Sequence, residues 1–501
     1  MRRPHAILAI DQGTTSTKAI VLDEDGKILG SSLPDRFTID VRYPRPGWVE
    51  FEPQQLLRSV CDSAKAAVAH ANLSWSAIAG IGLANQGETV IAFDRATGRP
   101  IHPAISWQDC RTEAITNRWR QQGLEQDVLA TTGLRLDPYF SAAKIAWILE
   151  NVDEACTLQK AGRLGLGPSD AWLLHQLTGG EHFVTDVATA SRTMLMDLAT
   201  SQWSPQLAKS FGIAVDDLPR IVLNAEPIGL TAEPSFGAKV PITGLCVDQQ
   251  AALLGHHAVE SGQAKLTYGT GCFLLAHVGS DCSRRAAGLL TSVGWKTSEE
   301  TAYVFDGGVY SAGSLMDWVC EIGLAADVDE VARLAREIDV PSPVLLIPAF
   351  SGLAAPRWAS RARACWLGMD QSTDRRHLVR SALEAIAFRI KEIFDAMDDA
   401  DFQLRRISVD GGLSRCDLLM QIQADVLDVP LARSDLAECT ALGAGYFAGL
   451  GCGLWKSMAQ LPSRIEPVRS FEPRASNAVR YEAAFDQWKN ACTAVIQLFD
   501  S

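Results

Sequence analysis

A short polar stretch near the start of the chain contains hydroxyl residues, one cation and one carboxylate whose side chains could act together. These residues are Thr14, Thr15, Ser16, Lys18 and Asp11. Hydroxyls, a cation and the backbone N–H groups of a Gly-containing turn can hold phosphate oxygens, and a carboxylate can hold a metal ion through water. The stretch therefore suits a nucleoside triphosphate with Mg²⁺. The same residues are equally typical of an ordinary polar turn.

A second set of polar residues follows a later apolar run. The run 78–83 predicts a buried strand, and it leads directly into Asn85-Gln86-Gly87-Glu88. Open α/β sheets usually bind ligands at the carboxyl ends of their strands, so we expect this tetrapeptide to face a ligand. Asp248 precedes the apolar residues of a predicted helix, where aspartate is a common N-cap. On the residues alone, the N-cap is the favoured role of Asp248.

The elements that position these residues can be predicted from apolar periodicity. Apolar runs at 6–10 and 19–22 predict a β-hairpin with the first polar stretch at its tip. A third strand is expected at 27–32, a helix begins at Pro53, and a further helix is expected at 139–151. This alternation predicts an α/β fold.

The second half of the chain repeats features of the first. Residues 265–275 predict another Gly- and Thr-containing hairpin, and the apolar strand 407–409 ends in Asp410-Gly411-Gly412. Two similar α/β halves that face one cleft would explain why phosphate-type turns occur twice. The similarity is too weak to prove an internal repeat.

Domain organisation is read from changes in this pattern. Apolar runs become short and Pro and Gly more frequent at 225–244, which predicts a boundary between two domains, 1–247 and 248–501. The Ser-, Thr- and Asp-rich segment 185–197 is expected at the surface or in a cleft. Three aromatic residues and one valine recur at helical spacing near the C-terminus, and this stripe is expected to cover the core, with a dimer contact as the alternative; the residues are Tyr481, Phe485, Trp488 and Val495.

Composition excludes several classes of protein. The chain has 501 residues, 47% of them hydrophobic, and a net charge of −13, which argues against nucleic-acid or membrane binding as its main role. Its 12 cysteines include no C-x-x-C pair, so we expect buried free thiols and no disulfide framework or zinc site. No signal peptide or 18-residue apolar stretch is visible, and a cytoplasmic location is expected.

Familiar nucleotide and metal motifs are absent from the sequence. There is no G-x-x-x-x-G-K-[ST] loop, and the G-x-G stretches lack the third glycine of a dinucleotide fingerprint. His256 and His257 are adjacent, which does not place them on one helix face, and a solvated pair is the expected arrangement.

Seven longer strings resemble the FGGY carbohydrate kinases, and within that family the glycerol-phosphorylating members most closely. They are DQGTTSTKAIVLD at Asp11, GWVEFEP at Gly47, TGLRLDPYFSAAKIAWILEN at Thr132, ASRTML at Ala190, VDQQAALLG at Val247, YGTGCFLL at Tyr268 and VDGG at Val409. The resemblance implies two actin-like (ribonuclease H-like) ATPase domains facing a central cleft, with ATP and Mg²⁺ bound between them. It also implies a small polyol or sugar as the other substrate, and leaves a homodimer or homotetramer open.

Nucleotide-site residues follow from this resemblance position by position. It places Thr14, Thr15, Ser16 and Lys18 at the ATP phosphates, Asp11 at the metal ion, and Thr270, Gly313 and Gly412 at the nucleotide. Lys18 stands where these kinases usually have arginine, so a rigid fork of donors becomes a point charge. Asp317 and Cys416 stand where glutamine and asparagine are expected. Both changes would alter hydrogen bonding near the nucleoside.

The resemblance also assigns the reacting groups. Asp248 matches the catalytic base, and this assignment displaces the N-cap as its expected role. The matching acceptor-binding residues are Glu88, Tyr139, Asp248 and Gln249, with Trp107 and Phe273 as apolar walls.

Gly87 is the departure at the acceptor site, because the glycerol-phosphorylating members usually have arginine there. Losing a donor should weaken or redirect specificity, and the vacated volume would admit a longer acceptor such as a tetritol or a ketose. Two further alternatives stay open on the sequence alone. One is an actin-like ATPase without a small acceptor, and the other is a sugar sensor with little turnover.

Overall fold

The computed structural model describes residues 5–35, 37–338, 341–434, 438–462 and 467–500. The strands are β1 (Ala6–Gln12), β2 (Ser16–Leu22), β3 (Ile28–Ser31), β4 (Phe37–Thr38), β5 (Glu50–Phe51), β6 (Ile78–Asn85), β7 (Val90–Asp94), β8 (Ala104–Ile105), β9 (Leu164–Pro168), β10 (Val184–Asp186), β11 (Met196–Asp197), β12 (Gln202–Trp203), β13 (Arg220–Val222), β14 (Ala225–Leu230), β15 (Pro241–Val247), β16 (Gln263–Tyr268), β17 (Cys272–Gly279), β18 (Leu290–Lys296), β19 (Thr301–Val309), β20 (Leu345–Ile347), β21 (Cys365–Leu367), β22 (Arg406–Asp410), β23 (Leu431–Arg433) and β24 (Arg469–Phe471). The helices are α1 (Pro53–His70), α2 (Glu113–Gln121), α3 (Glu125–Thr132), α4 (Ser141–Asn151), α5 (Asp153–Lys160), α6 (Ser169–Leu177), α7 (Val187–Ala190), α8 (Pro205–Phe211), α9 (Glu233–Phe236), α10 (Asp248–Gly255), α11 (Gly313–Glu321), α12 (Val328–Ala335), α13 (Arg375–Asp398), α14 (Asp417–Leu427), α15 (Cys439–Gly451) and α16 (Ala475–Asp500).

The first large sheet has the order β14-β15-β6-β1-β2-β3, with β4 paired to β2. β1, β2 and β3 are antiparallel neighbours, whereas β1, β6 and β15 run parallel. The predicted hairpin, third strand and buried strand at 78–83 are therefore confirmed. The parallel strands end at one edge of the sheet, and the tip of the hairpin lies at the same edge.

The second large sheet repeats this plan with the order β18-β19-β17-β16-β22-β23-β24. β16 and β17 form the predicted antiparallel hairpin, and β22 pairs in parallel with β16 and β23. In both sheets a hairpin is followed by parallel strands on the far side of its first strand. This is the actin-like (ribonuclease H-like) topology, which confirms the expected fold class.

Helices cover both sheets and bury their apolar faces there. α1 begins at Pro53 as predicted and packs under the first sheet through its apolar stripe. α13, α14 and α16 join the core of the second sheet, where Trp488 of α16 is fully buried beside Phe388 of α13. The C-terminal aromatic stripe therefore covers core, as expected.

α15 connects the two halves by close backbone packing. It lies against β1, β6 and β15 of the first sheet and against α10. Gly443 faces Ala251 of α10, Gly255 faces Cys439 of α15, and a Cβ at either glycine would overlap a backbone carbonyl oxygen. Side chains cannot fit here, which explains the small residues of this helix.

Three local expectations differ from the structure. The helix expected from residue 139 begins at Ser141. Segment 225–244 is not a loose connection, because it forms β14 and most of β15 within the first sheet. Segment 185–197 is buried apart from the partly buried Asp197, with Asp186 accepting hydrogen bonds from Thr189 and Asn224. The division at 247/248 falls between β15 and α10 and stays a prediction.

The structure contains no disulfide bond between any of the 12 cysteines, all of which lie among the described residues. The expectation that they are buried is wrong for Cys110 and Cys156, which are exposed. Among the described residues, no helix combines the length and the apolar character needed to cross a membrane.

Candidate active site

The predicted site begins where the parallel strands of the first sheet end. In the register of β1, β6 and β15, Asn85 pairs with both Gln12 and Val247. The residues that follow these three positions therefore leave the sheet at the same edge. That edge carries the hairpin tip after Gln12, the segment Gln86 to Glu88, and Asp248.

The tip of the hairpin formed by β1 and β2 contacts aromatic residues that were predicted to bind the acceptor. Trp107 Nε1 donates a hydrogen bond of 2.8 Å to Thr14 Oγ1, and the Trp107 ring lies 5.6 Å from that of Tyr139. Asp11 and Lys18 are paired across the hairpin. Burial raises the pKa of Asp11 to about 6, against the lowering effect of Lys18.

Glu88 is held in an unusual position by a buried ion pair. Its φ of 59° is in the left-handed region, which few non-glycine residues adopt, and it is 4% exposed. Its Oε1 accepts a 2.7 Å hydrogen bond from Arg192 Nε, yet burial dominates and raises its pKa to about 7. Such a carboxylate is poised to accept hydrogen bonds from a ligand.

Arg192 is a site residue that the sequence reasoning missed. It bridges Glu88 and Asp306, with 3.0 Å from its Nη2 to Asp306 Oδ2, and its guanidinium lies 5.9 Å from the centre of the Tyr139 ring. Its only signal in the sequence is its place in the ASRTML string. Because Asp306 is on β19, this arginine joins the acceptor side of the first half to the second sheet.

Asp248 is the first residue of α10, and Val247 holds the N-cap position. Its carboxylate accepts a 2.6 Å hydrogen bond from the backbone N–H of Gln249, the adjacent residue. The N-cap role considered from the sequence is therefore not what this aspartate does. Burial and then the nearby Asp11 charge raise its pKa to about 7, while Lys265 lowers it. A carboxylate tuned in this way can take up a proton near neutral pH.

Lys265, also missed by the sequence reasoning, is a buried cation beside this carboxylate. Its Nζ donates to Gln249 Oε1 at 2.6 Å and to Thr267 Oγ1 at 3.0 Å. It is 1% exposed and lies on β16. Lys265 therefore positions one predicted acceptor-binding residue while its charge acts on another.

The predicted nucleotide residues gather at the matching edge of the second sheet. Thr270 forms the tip of the β16–β17 hairpin, and its carbonyl oxygen accepts from Ser314 N–H at 3.1 Å. Gly313 N–H donates to the carbonyl oxygen of Gly269 at 2.9 Å. Gly412 follows β22, and a Cβ there would meet nothing within 4 Å. Gly412 is exposed, so a ligand can reach this position.

The two unusual nucleotide positions differ in exposure. Asp317 is exposed on α11, whereas Cys416 is buried as the N-cap of α14 and packs in the second core.

Phe273 lies on β17 against Gly308 of β19, two residues from Asp306. Phe273, one of the two predicted wall residues, therefore belongs to the second sheet.

The Cβ position of Gly87 is crowded by Val247. A Cβ built on Gly87 would lie 2.7 Å from Val247 Cγ2, so a side chain at position 87 could not fit without moving Val247. The volume expected from the missing arginine stays a prediction, because this distance concerns the Cβ position alone.

The expected solvated histidine pair is wrong for His256. This residue is 1% exposed, its Nε2 lies 2.7 Å from Asp410 Oδ2, and its Nδ1 lies 3.9 Å from Cys439 Sγ. A ring nitrogen of His256, a carboxylate oxygen of Asp410 and the sulfur of Cys439 lie within 4.8 Å of one another. These three side chains come from distant parts of the chain. The hydrogen bonds of His256 link α10, β22 and α15.

Carboxylates outnumber cations around the hairpin tip. Asp11 and Asp248 have raised pKa values, and Glu438 is a third carboxylate whose charge acts on Asp11. Both oxygens of Glu438 are buried without a partner among the described residues. This excess of hard oxygen donors fits Mg²⁺.

Comparisons with known proteins extend the resemblance over the whole chain. The FGGY family of carbohydrate kinases matches at residues 6–255 for its N-terminal domain and 264–452 for its C-terminal domain. A glycerol kinase of Aromatoleum aromaticum is 42% identical over 487 residues, 97% of each chain. One from Alkalilimnicola ehrlichii is 43% identical over 479 residues, 95% of each chain. The crystal structure of Plasmodium falciparum glycerol kinase with ADP superposes with a TM-score of 0.91 at 33% identity, covering 98% of both chains.

Proposed function

The chain belongs to the FGGY family of carbohydrate kinases, and we propose that it transfers the γ-phosphoryl group of ATP to a terminal hydroxyl of glycerol or a closely related small polyol. Its full-length similarity to enzymes named glycerol kinases supports this acceptor.

The observation that carries the proposal is the meeting of two carboxylates with different tasks at one sheet edge. Glu88 follows β6 and Asp248 follows β15, and the ends of these strands are paired through Asn85 and Val247. Glu88 is tied to Arg192, so it suits binding of a hydroxyl group. Asp248 accepts a hydrogen bond from the neighbouring Gln249 N–H and has a pKa near neutral, so it suits proton transfer.

In the proposed reaction, Asp248 accepts the proton of the acceptor hydroxyl as that oxygen forms a bond to the γ-phosphorus. The bond from this phosphorus to its bridging oxygen breaks, and ADP leaves. Glu88, Tyr139 and Gln249 orient the acceptor hydroxyls, with Trp107 and Phe273 as walls. Lys265 keeps Gln249 in place.

Nucleotide binding is proposed at the two hairpin tips. Thr14, Thr15, Ser16 and Lys18 would hold phosphate oxygens, and Thr270, Gly313 and Gly412 would hold the nucleoside side, with Asp317 and Cys416 nearby. Asp11 would hold Mg²⁺, which when bound neutralises charge on the phosphate oxygens.

The chain needs no nucleic acid or membrane for this reaction, and we place it in the cytoplasm. Whether it acts as a homodimer or homotetramer does not alter the proposed chemistry.

The test is ADP release with Mg·ATP across glycerol, dihydroxyacetone, erythritol, threitol, ribitol and common ketoses, comparing kcat/KM. Glycerol should rank first. Asp248→Asn should fold normally and lose on the order of 10²-fold or more in turnover, since general-base catalysis is typically worth this much. A longer polyol or ketose ranking first would reject the acceptor, and ADP release indifferent to every acceptor would reject the kinase. Near-wild-type turnover by Asp248→Asn would reject the base.

A further inference from the structure

Glu438 is a buried carboxylate that the structure leaves without a hydrogen-bond partner. It is 7% exposed, and neither Oε1 nor Oε2 has a partner among the described residues. It occupies the N-cap position of α15 but makes no side-chain cap. Native proteins rarely leave both oxygens of a buried carboxylate unpaired, because desolvation of the charge is costly. Glu438 therefore requires a ligand or another function.

The groups that Glu438 interacts with are those of the phosphate-type hairpin. Lys18 lowers the pKa of Glu438, although burial has the larger effect and raises it. The Glu438 charge in turn raises the pKa of Asp11, the residue paired with Lys18 across the hairpin. Lys18 is thus shared by two carboxylates. The Asp11 and Asp248 charges also repel each other, although Lys265 lowers the pKa of Asp248, so a cation placed between Asp11 and Glu438 would relieve repulsion.

The position of α15 explains how Glu438 reaches this hairpin. The helix packs along β1, the strand that ends beside Asp11, and also on α10, which begins at Asp248. α15 runs opposite to β6, because Ala448 lies at Gly80 and Ala444 at Gly82. Its N-terminal end therefore lies towards the edge where β1 and β6 end and the hairpin tip begins. Carboxylate oxygens are the ligands that Mg²⁺ accepts, directly or through water.

We propose that Glu438 is a second carboxylate of the Mg²⁺ site, acting with Asp11 on the metal ion that accompanies ATP. This inference rests on the proposed function for the identity of the metal and nucleotide. It assigns to α15 a binding role in addition to its packing role. The unpaired oxygens of Glu438 are then explained as donors kept for the cation.

The test compares nucleotide and metal binding in Glu438→Gln, which keeps size and removes charge. Mn²⁺ binding is measured by electron paramagnetic resonance in the presence of AMP-PNP, a non-hydrolysable ATP analogue. AMP-PNP binding is measured by calorimetry with Mg²⁺ and with EDTA. We expect Mn²⁺ affinity to fall at least tenfold and Mg²⁺-dependent AMP-PNP binding to weaken, while metal-free AMP-PNP binding stays equal or tightens because a negative charge is removed.

Opposite effects with and without metal separate a metal-binding role from a structural one. Weakening of AMP-PNP binding to the same extent in Mg²⁺ and in EDTA would overturn the inference, as would unchanged Mn²⁺ affinity. Glu482→Gln, an exposed residue of α16, is the matched control and should change neither quantity. If wild-type protein shows no acceptor-dependent ADP release but the metal effect of Glu438→Gln persists, the proposed function fails and the Glu438 assignment stands.

Discussion

Val247 lies where a side chain at position 87 would extend, because its Cγ2 is 2.7 Å from the place that a Cβ on Gly87 would take. The side chains at positions 87 and 247 therefore compete for the same space beside the proposed base, Asp248. Gly87→Arg should displace Val247 and with it Asp248, so kcat/KM for glycerol should fall at least tenfold. Gly87→Arg combined with Val247→Gly should recover most of this loss, because the overlap is removed and a donor is gained. Steady-state kinetics on both variants measure the coupling.

Val247→Gly alone is the control for this pair, since it opens the space without filling it. It should retain turnover and raise KM for glycerol. If Gly87→Arg alone were as active as the wild type, Val247 would not limit this wall of the acceptor site.

The proposed base should give the reaction a measurable pH dependence. Asp248 must be unprotonated to accept a proton, and its pKa is raised to about 7, mainly by burial and then by Asp11. Activity should therefore rise with pH through about 7 and fall below it. Glu88, whose pKa is raised to about 7 as well, contributes to the same limb, so the observed value belongs to the pair.

Lys265 provides the test of this assignment because its charge lowers the pKa of Asp248. Lys265→Met should move the acidic limb of kcat/KM against pH upward by roughly one pH unit, the usual effect of losing a nearby opposite charge. Lys265→Arg should leave the limb near its wild-type position. A folded Lys265→Met variant with an unmoved limb would show that Asp248 does not control the profile.

The local elements of the fold are predictable because each depends on a short pattern. Both hairpins, the strand before Asn85 and the helix at Pro53 have apolar periodicity that neighbouring residues define. Segment 185–197 was expected at the surface or in a cleft because its Ser, Thr and Asp residues are polar. In the structure they are buried together, with partners such as Asn224 that lie far along the chain.

Candidate site residues also divide into those that a local motif identifies and those whose role depends on distant partners. Glu88, Tyr139 and Asp248 could be proposed from motifs, whereas Arg192, Lys265 and Glu438 could not. Their roles depend on tertiary partners: Arg192 on Asp306 of β19, Lys265 on Gln249 of α10. The same reason explains the wrong expectation for His256, since its partner Asp410 is 154 positions away. Pairing between distant segments is not visible in a single sequence.

α15 shows how one element can serve both halves. Its glycines let α10 approach its backbone, and the residue at its N-cap, Glu438, lies beside the hairpin of the first sheet. α15 contacts both α10 and the first sheet, so a movement of one half relative to the other would act on both contacts. Binding at the hairpin tip and the placement of Asp248 are therefore expected to be linked through α15.

The ion pair of Arg192 and Asp306 also joins the acceptor side of the first half to the second sheet. Both side chains are largely removed from solvent, at 6% and 13% exposure, so their interaction is weakly screened. Asp306→Asn should loosen this junction while leaving Arg192 paired with Glu88. We expect KM for glycerol to rise about tenfold or more, and protease resistance conferred by glycerol with AMP-PNP to decrease, because ligand-bound halves would be held together less firmly. Asp306→Glu keeps the charge and should retain most of the protection. Protection unchanged in Asp306→Asn, measured as the rate of loss of intact chain in limited proteolysis, would show that the halves are joined without this pair.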